Sequence, residues 1–480
     1  IGVGTTLRRL AAAGYQASGI TPDPAQVAEV RRRLGDRVDL QVSTLEALPQ
    51  PARPYQLMLL QESAQYIEPL AMFEAADWLL ADDAQIVVMD EFAMRRTGAH
   101  STGLHLHAHF VALAHRMGWA VEVDEDVSAQ AAHTVDAIER LVESQRPALR
   151  AELAVSDAQL DALGHATRAY RVRYRDGEYG YRVMRLRRAA RPALRLGAVR
   201  AAQAPAMRAL FERVFERPMS GAEWHWKYGD GRGCAVGLWR GDRLVAHYGA
   251  ATRAVRWNGT EVPAAQVGDV MVVPEANAGI GRQGALQQVS ATLLEQQIGW
   301  GAPHPLAFGF PNDRALRVAE RLALYGRVDE VIQLEWDGPC TRPSSLTARS
   351  AEGDRLHGAW QRMADAMPRA LLPVRDVAWL RHRYGQRPGV RYRVFFARPR
   401  WSRAGSGGAF VLRVHDDHVE LMDLVAAPDR FPRLVSMARS WAMSQGRARL
   451  CAWITRSHAG WLDDAREPAR RVDLGVQGPC

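Results

Sequence analysis

Apolar positions change their period along this chain, and the changes divide it. After the opening Gly2-Val3-Gly4, Leu7, Leu10 and Ala11 recur three and four residues apart, the spacing of one helix face. A short strand is expected over 16–20, behind Gly14. A second helix is expected to start at Asp23-Pro24-Ala25-Gln26: Asp caps, Pro suits the first turn and Gln completes a capping box. Val27, Val30 and Leu34 form its buried stripe. Apolar strands are expected over 38–42, 56–60 and 85–89, separated by helical segments. Strand and helix in alternation up to Arg188 predict an α/β, doubly wound, Rossmann-like parallel sheet with its ligand crevice at the carboxyl ends of the strands.

From Leu196 the pattern becomes a mixed α+β one. Strands are expected over 234–239 and 244–251, joined by the turn Arg240-Gly241-Asp242-Arg243, a hairpin signal. A strand over 266–273 runs into a glycine-bearing loop, 274–284, and a helix to about residue 298. A strand over 306–310 precedes a helix opening at Pro311-Asn312-Asp313, with Ala315, Val318, Ala319 and Leu322 on one face. The segment 337–352 is rich in Pro, Ser, Thr and Gly and reads as a linker. Beyond it, Leu380-Arg381-His382-Arg383-Tyr384-Gly385 echoes Trp224-His225-Trp226-Lys227-Tyr228-Gly229, each followed by strand, turn and strand. Such self-similarity suggests duplication of one fold. The later copy has no counterpart of the glycine loop and is expected to have lost its ligand. The expected boundaries are 1–190, 191–336, a linker over 337–353, and a degenerate copy over 354–480.

Composition changes this picture in a few places. A chain of 480 residues calls for two to four compact units, and 47% hydrophobic with 24% charged residues excludes a mainly disordered chain. The net charge of +9 first suggests a polyanionic partner. Of the 62 basic residues, however, only Lys227 is a lysine, and the arginines are spread without a long basic run. That is compositional bias, and no specific nucleic-acid partner is expected. Cys234, Cys340, Cys451 and Cys480 lie far apart without a CxxC pair, which excludes a disulfide framework or zinc ribbon and suits a reducing cytoplasm. No apolar stretch approaches the ~20 residues of a membrane span. Ile1 followed at once by glycines looks like a cut strand, so an N-terminally truncated first domain is expected. Oligomeric state is not legible.

Gly2-Val3-Gly4-Thr5 before a helix suits a strand–loop–helix nucleotide site, where missing Cβ atoms let a ligand reach the helix N-terminus. Taken alone it equally fits a tight turn. With Ser18-Gly19-Ile20-Thr21-Pro22, Val42-Ser43-Thr44-Leu45-Glu46-Ala47-Leu48-Pro49 and Gln61-Glu62-Ser63-Ala64-Gln65-Tyr66-Ile67 in order, the first 188 residues resemble class I S-adenosylmethionine-dependent methyltransferases. They look most like the branch containing cyclopropane-fatty-acid synthases and sterol methyltransferases. The resemblance implies S-adenosylmethionine as cofactor, with Gly2 and Gly4 flanking its methionine portion and Thr21 at the ribose. It puts Ser43 and Thr44 near the adenine, and Gln61 and Glu62 on the sulfonium side. Thr21 replaces the acidic ribose ligand common in the wider superfamily, and Gln65 stands where cyclopropane synthases carry an active-site carboxylate, so cyclopropanation does not follow.

Val270-Met271-Val272-Val273-Pro274, then Gly279-Ile280-Gly281-Arg282-Gln283-Gly284 and a helix, resembles the acetyl-CoA site of GNAT N-acyltransferases over residues 196–336. The resemblance implies that the backbone of Val270, Met271 and Val272 pairs with pantetheine amides. It implies that Gly279, Gly281, Arg282 and Gly284 surround the pyrophosphate and that Asn312 contacts the pantetheine arm. Ala276 stands where the family opens its phosphate loop with Arg or Gln. The family's general-acid tyrosine falls near Ala319, leaving Tyr325 as substitute. Acyl transfer to an amine needs a base for the ammonium proton; Asp269 is the first candidate and Glu275 the second, though each also reads as an ordinary solvated carboxylate.

Other features carry less. His105 and His109 have the i, i+4 spacing of metal-binding helices, but no third ligand shares their face, so no metal is expected and the cluster His100, His105, His107, His109 and His115 reads as solvated or substrate-lining. Arg173-Tyr174-Arg175 and Tyr179-Gly180-Tyr181-Arg182 mix bases and aromatics like nucleic-acid binders, and alternate like a strand closing the first sheet. Trp224, Trp226 and Tyr228 fit an acceptor pocket or a core. The expected function is acyl transfer from acetyl-CoA to an amine or hydroxyl together with methyl transfer to a small-molecule or lipid-like acceptor. A noncatalytic CoA- or metabolite-binding module joined to an active methyltransferase remains the alternative.

Overall fold

A computed structural model of the chain describes residues 2–35, 38–96, 103–189, 191–276, 284–338, 347–349, 353–398, 407–463 and 467–478. The chain forms two compact units, Ile1–Ala198 and Val199–Cys480.

In the first unit, α1 (Thr5–Ala12) precedes β1 (Ser18–Thr21), α2 (Pro24–Leu34), β2 (Asp39–Val42) and β3 (Tyr55–Gln61). Then come α3 (Pro69–Leu79), β4 (Leu80–Ala93), α4 (His107–Arg116), β5 (Trp119–Asp126), α5 (Ser128–Ser144), α6 (Arg146–Leu153), α7 (Asp157–Arg175), β6 (Tyr179–Arg188) and β7 (Arg195–Ala198). Asp23 caps α2 by accepting from the Ala25 amide at 2.8 Å, and Pro24 fills the first turn. Gln26 does not close the expected capping box; its Oε1 accepts instead from the Thr21 hydroxyl at 3.0 Å. Val27 and Val30 bury against Leu7 and Leu40 as a small core.

Strands β1 and β2 are parallel, as are β3 and β4. The second sheet runs β3-β4-β6-β5, with β6 antiparallel to both neighbours. The fold is therefore α/β and Rossmann-like, but its sheet is mixed and not wholly parallel. In β4 the buried side chains of Ala84, Ile86, Val88, Asp90 and Phe92 alternate with less buried ones, the two-residue period of a strand. That alternation outlasts the apolar run expected over 85–89, so the strand is longer. Arg173, Tyr174 and Arg175 end helix α7 and only the stretch from Tyr179 is strand.

The second unit opens with α8 (Ala204–Phe215), α9 (Gly221–Tyr228), β8 (Gly233–Arg240), β9 (Arg243–Trp257) and β10 (Thr260–Val272). It continues through α10 (Ala285–Gln297), β11 (Leu306–Phe308), α11 (Asp313–Arg321), β12 (Glu330–Asp337), β13 (Thr347–Arg349), α12 (Gly353–Ala366), β14 (Leu372–Pro373) and α13 (Val377–Leu380). Strands β15 (Arg393–Arg398), β16 (Gly408–Val414) and β17 (Val419–Val425), helix α14 (Phe431–Ser444), β18 (Arg449–Thr455) and β19 (Arg470–Gln477) complete it. β8, β9 and β10 form an antiparallel meander with β11 parallel to β10. A seven-stranded sheet runs β13-β15-β16-β17-β18-β12-β19. β12 precedes the Pro/Ser-rich segment yet lies between β18 and β19, antiparallel to both. Its Ile332, Leu334 and Trp336 belong to the core that also holds Trp360, Phe410 and Leu434. The strands on either side of residues 337–353 thus share one sheet.

The two segments of the sequence echo meet in space. Ser220 and Asp376 cap the two equivalent helices, accepting from Glu223 and Trp379 amides. Trp226 and His382, matched positions of the echo, stack on one another with ring centroids 5.4 Å apart, and the Trp226 indole N–H donates to the His382 carbonyl at 2.8 Å.

Candidate functional site

A polar cluster in the second unit is built where β10 is irregular. Gly268 pairs with Gly249 and Met271 with His247, so Asp269 and Val270 together face the single residue Tyr248. This is a β-bulge, and Asp269 takes up the turn with φ of +51°. The bulge re-aims the Asp269 carboxylate, which is 12% exposed. Lys227, in the last turn of α9, donates to both carboxylate oxygens, at 2.8 and 2.9 Å. The Tyr228 hydroxyl donates to Oδ2 at 2.7 Å. Burial, reinforced by the Asp269 charge, pushes the Tyr228 hydroxyl well above the ordinary phenol range, so at neutral pH it is a donor.

His247 on β9 completes the cluster. Its Nδ1 lies 2.7 Å from the Asp269 carbonyl oxygen; since a carbonyl only accepts, the proton is on Nδ1. Burial holds the His247 pKa below the usual imidazole value, and the ring is neutral. Its Nε2 is buried with no partner among the described residues. Gly249 keeps this packing open: a Cβ there would sit 2.7 Å from both His247 Cε1 and the Tyr228 hydroxyl.

The same strand offers an edge. β11 pairs with β10 only at Ala264, Ala265 and Gln266, and Gly309 still packs on Val267. Beyond that point β11 has ended while β10 runs on to Val272. From Gly268 to Val272 the outer edge has no ladder partner among the described residues, and nothing lies within 4 Å of where a Gly268 Cβ would be. An open strand edge can bond a ligand that carries amides. The described end of the loop leads to Gly284, which precedes the first residue of α10.

Residues 196–323 match the profile of the acetyltransferase (GNAT) domain. This segment is a GNAT domain. Among solved structures the chain is similar to a conserved protein of unknown function from Enterococcus faecalis, described as a probable N-acyltransferase, with 12% identity, 60% of this chain and 72% of that chain covered, and a TM-score of 0.46. It is similar to a GCN5-related N-acetyltransferase from Kribbella flavida, with 17% identity, 59% and 69% covered, and a TM-score of 0.43. It is also similar to a putative sarcosine dimethylglycine methyltransferase from Galdieria sulphuraria, with 13% identity, 40% and 77% covered, and a TM-score of 0.36. No curated protein matches the chain.

Within the GNAT domain the structure gathers Asp269, Val270, Met271 and Val272 at the bulge and open edge. Glu275 lies apart from the Asp269 cluster in its bonding: it is half-exposed, ion-paired with Arg213 and, more loosely, Arg243, and its carboxyl is held below the ordinary range chiefly by its own backbone N–H. Asn312 caps α11 by accepting from the Ala315 amide at 2.9 Å. Tyr325 is half-buried and its charge would bear on Tyr248, the residue facing the bulge. Gly279, Gly281 and Arg282 lie outside the described residues. Sequence reasoning assigned no role to His247, whose signal is one imidazole inside the otherwise apolar run of β9. It also left Lys227 and Tyr228 as parts of an aromatic motif.

In the first unit Thr21, Ser43, Thr44, Gln61 and Glu62 lie at or just past the carboxyl ends of parallel strands, and the glycine turn precedes α1. Gly4 caps α1 in the left-handed region, φ +80°. Thr21 ends β1 and is buried, and its carbonyl accepts from the Ser43 amide just past β2 at 3.0 Å. Ser43 turns its hydroxyl to the Thr44 carbonyl. Gln61 ends β3 and accepts from the Thr6 hydroxyl at 2.7 Å, tying that strand end to the glycine turn. Glu62 follows with φ +49° and accepts from the Tyr181 hydroxyl at 3.2 Å. Gly2 is exposed with a positive φ of +51°.

The histidines divide by role. His105 Nε2 lies within hydrogen-bond reach of the Ala64 and Ile67 carbonyls, at 3.0 and 2.9 Å, and fixes the turn after β3. Asp90 accepts from the Gln65 amide on that turn. His107 pairs with Asp124 at 3.0 Å. Among the described residues no group of His, Cys, Asp and Glu could hold a metal ion, and His100 lies outside them. No described helix is long and apolar enough to cross a membrane.

Proposed function

We propose that the second unit transfers an acyl group from acyl-CoA to an amine, and that the first unit binds S-adenosylmethionine and methylates a small-molecule or lipid-like acceptor. The observation that carries the acyl-transfer reading is the open β10 edge at Gly268–Val272 with a carboxylate mounted on its bulge, inside a GNAT domain. The pantetheine arm is a chain of amides, which this edge suits, and the thioester supplies an electrophilic carbonyl. Asp269 then holds an ammonium group and takes its proton, and Tyr228 stabilises the carboxylate that does so. Glu275, already committed to arginines, serves no such role in this reading. Tyr325 is proposed to protonate the leaving thiolate. Gly279, Gly281, Arg282 and Gly284 are assigned to the pyrophosphate, and Asn312 to closing the pantetheine channel through its helix cap. The degenerate copy over 354–480 is assigned a structural role.

For the first unit, Thr21, Ser43, Thr44, Gln61 and Glu62 at strand ends, with the Gly2–Gly4 turn tied to Gln61 through Thr6, support a nucleotide cofactor there. Ligand-dependent melting of the full chain tests both halves. Acetyl-CoA and S-adenosylmethionine are each expected to raise a melting transition, by about 2.7 kcal/mol at one hundred times Kd. Failure of acetyl-CoA to stabilise removes the acyl-transfer reading. The second reading, a noncatalytic binding module, is favoured by the Lys227 ammonium already seated on Asp269; stabilisation by acetyl-CoA without CoA-thiol release to any amine would establish it.

A further inference from the structure

We infer that Lys227 is acylated by the chain itself. Lys227 is the one lysine among 62 basic residues. An ion pair alone does not need it: the later copy makes its equivalent pair with arginine, Arg375 to Asp423 at 2.7 Å. What separates lysine from arginine is an amine that can lose its proton and act as a nucleophile; guanidinium stays charged. The chain places that amine 2.8 Å from the carboxylate of the first bulge residue, next to the open edge assigned above to acyl-CoA. The Lys227 side chain is 24% exposed and packs its ammonium 5.6 Å from the Phe211 ring centroid, so it is held yet reachable. This rests on the proposed acyl-CoA site.

The step balances without a further reactant. Asp269 takes one proton from the Lys227 ammonium, and the freed Nζ lone pair attacks the thioester carbonyl. The carbon–sulfur bond breaks as the carbon–nitrogen bond forms, and the sulfur leaves as thiolate and is protonated to CoA thiol. The second amine proton is lost as the amide forms. The products are Nζ-acyl-Lys227 and CoA, with one net proton released. Acylation removes the lysine charge and with it the ion pair, freeing the Asp269 carboxylate for an external ammonium. The modification would thus open the site to an acceptor.

The test incubates the full folded chain with acetyl-CoA alone at neutral pH and follows intact mass and peptide mapping, with melting read in parallel. The expected result is one acetyl group on Lys227, at a rate that saturates with acetyl-CoA and falls about 100-fold in Asp269→Asn. Loss of the mass gain in Lys227→Arg, which keeps the charge, would support it again. Because mapping is done on the unaltered chain, poor folding of either variant leaves the central result intact. Acetyl-CoA that raises the melting temperature but leaves Lys227 unmodified overturns the inference and leaves the acyl-transfer reading standing. Equal labelling of the urea-unfolded chain, or labelling confined to the N-terminal amine, also overturns it. Absence of any acetyl-CoA stabilisation overturns both.

Discussion

Removing the Tyr228 hydroxyl isolates the contact on which the site's geometry depends. In Tyr228→Phe the ring stays and one donor to Asp269 Oδ2, at 2.7 Å, is lost. A hydrogen bond to a charged group contributes about 1.5–3 kcal/mol net, and the low exposure of this carboxylate places it well inside that range, about 2 kcal/mol. Gly249 presents no side chain at the vacated position, and Lys227 still donates to Oδ2 at 2.9 Å. At roughly 2–4 °C per kcal/mol for a domain of this size, the transition of the second unit should fall by about 4–8 °C. Differential scanning calorimetry of the full chain measures it. A double-mutant cycle with Asp269→Asn separates the bond from the independent effects of each substitution, and should return a coupling of about 1.5–3 kcal/mol. A coupling within about 0.5 kcal/mol of zero would refute the reasoning, because the two groups would then contribute independently.

Three further outcomes are expected. Gly4→Ala adds a Cβ 2.8 Å from Val30 Cγ1 at a left-handed φ of +80°, and should destabilise the first unit by about 1–3 kcal/mol in calorimetry while leaving acetyl-CoA stabilisation unchanged. His247, whose folded pKa is depressed, contributes stability that is fully present above its unfolded value of about 6.5 and is lost as pH falls below it; denaturant titrations of the wild-type chain and His247→Gln should show the wild type losing more between about pH 7.5 and 5, and equal slopes would refute this. Asp423→Asn breaks an ion pair whose carboxylate is 6% exposed and should cost about 3–5 kcal/mol, with acetyl-CoA affinity retained under the structural role proposed for residues 354–480.

What was legible in the sequence follows from the range of the interactions involved. The cap at Asp23, the hairpin turn at Gly241 and the cap at Asn312 are set within a few residues, and each is where local chemistry puts it. The place of β12 was not legible, because Ile332 and Leu334 are equally apolar whichever sheet buries them. Gln26 satisfied a local rule on paper but found a better partner in Thr21, since that hydroxyl sits at the end of the preceding strand. Asp269 was visible as a carboxylate near a strand end; its partners were not, because Lys227 and Tyr228 come from a helix forty residues away in sequence. A bulge has no residue signature of its own, and only pairing across β9 and β10 reveals that Asp269 is turned out of the ladder.

The two segments of the sequence echo differ in how they pair an aspartate. Tyr228 and Tyr384 are matched positions of the echo, and each points its hydroxyl at an aspartate on a bulged strand, Asp269 at 2.7 Å and Asp423 at 3.3 Å. Asp423 also falls where its ladder shifts register, between Val411 and Leu412 on β16. Each segment of the echo therefore pairs a tyrosine with an aspartate. The copies differ in the cation. In the later copy Arg375 reaches Asp423 from outside the echo motif and also donates to the Pro373 carbonyl at 2.9 Å, which makes the pair a closed structural tie. In the GNAT copy the cation comes from within the motif, at the position where the later copy carries Arg383, and it is an amine. Arg383 instead lies over the Trp226 ring, 5.5 Å from its centroid. An ion pair made with arginine on Asp423 and with a lysine amine on Asp269 is the difference on which the proposed chemistry at Asp269 rests.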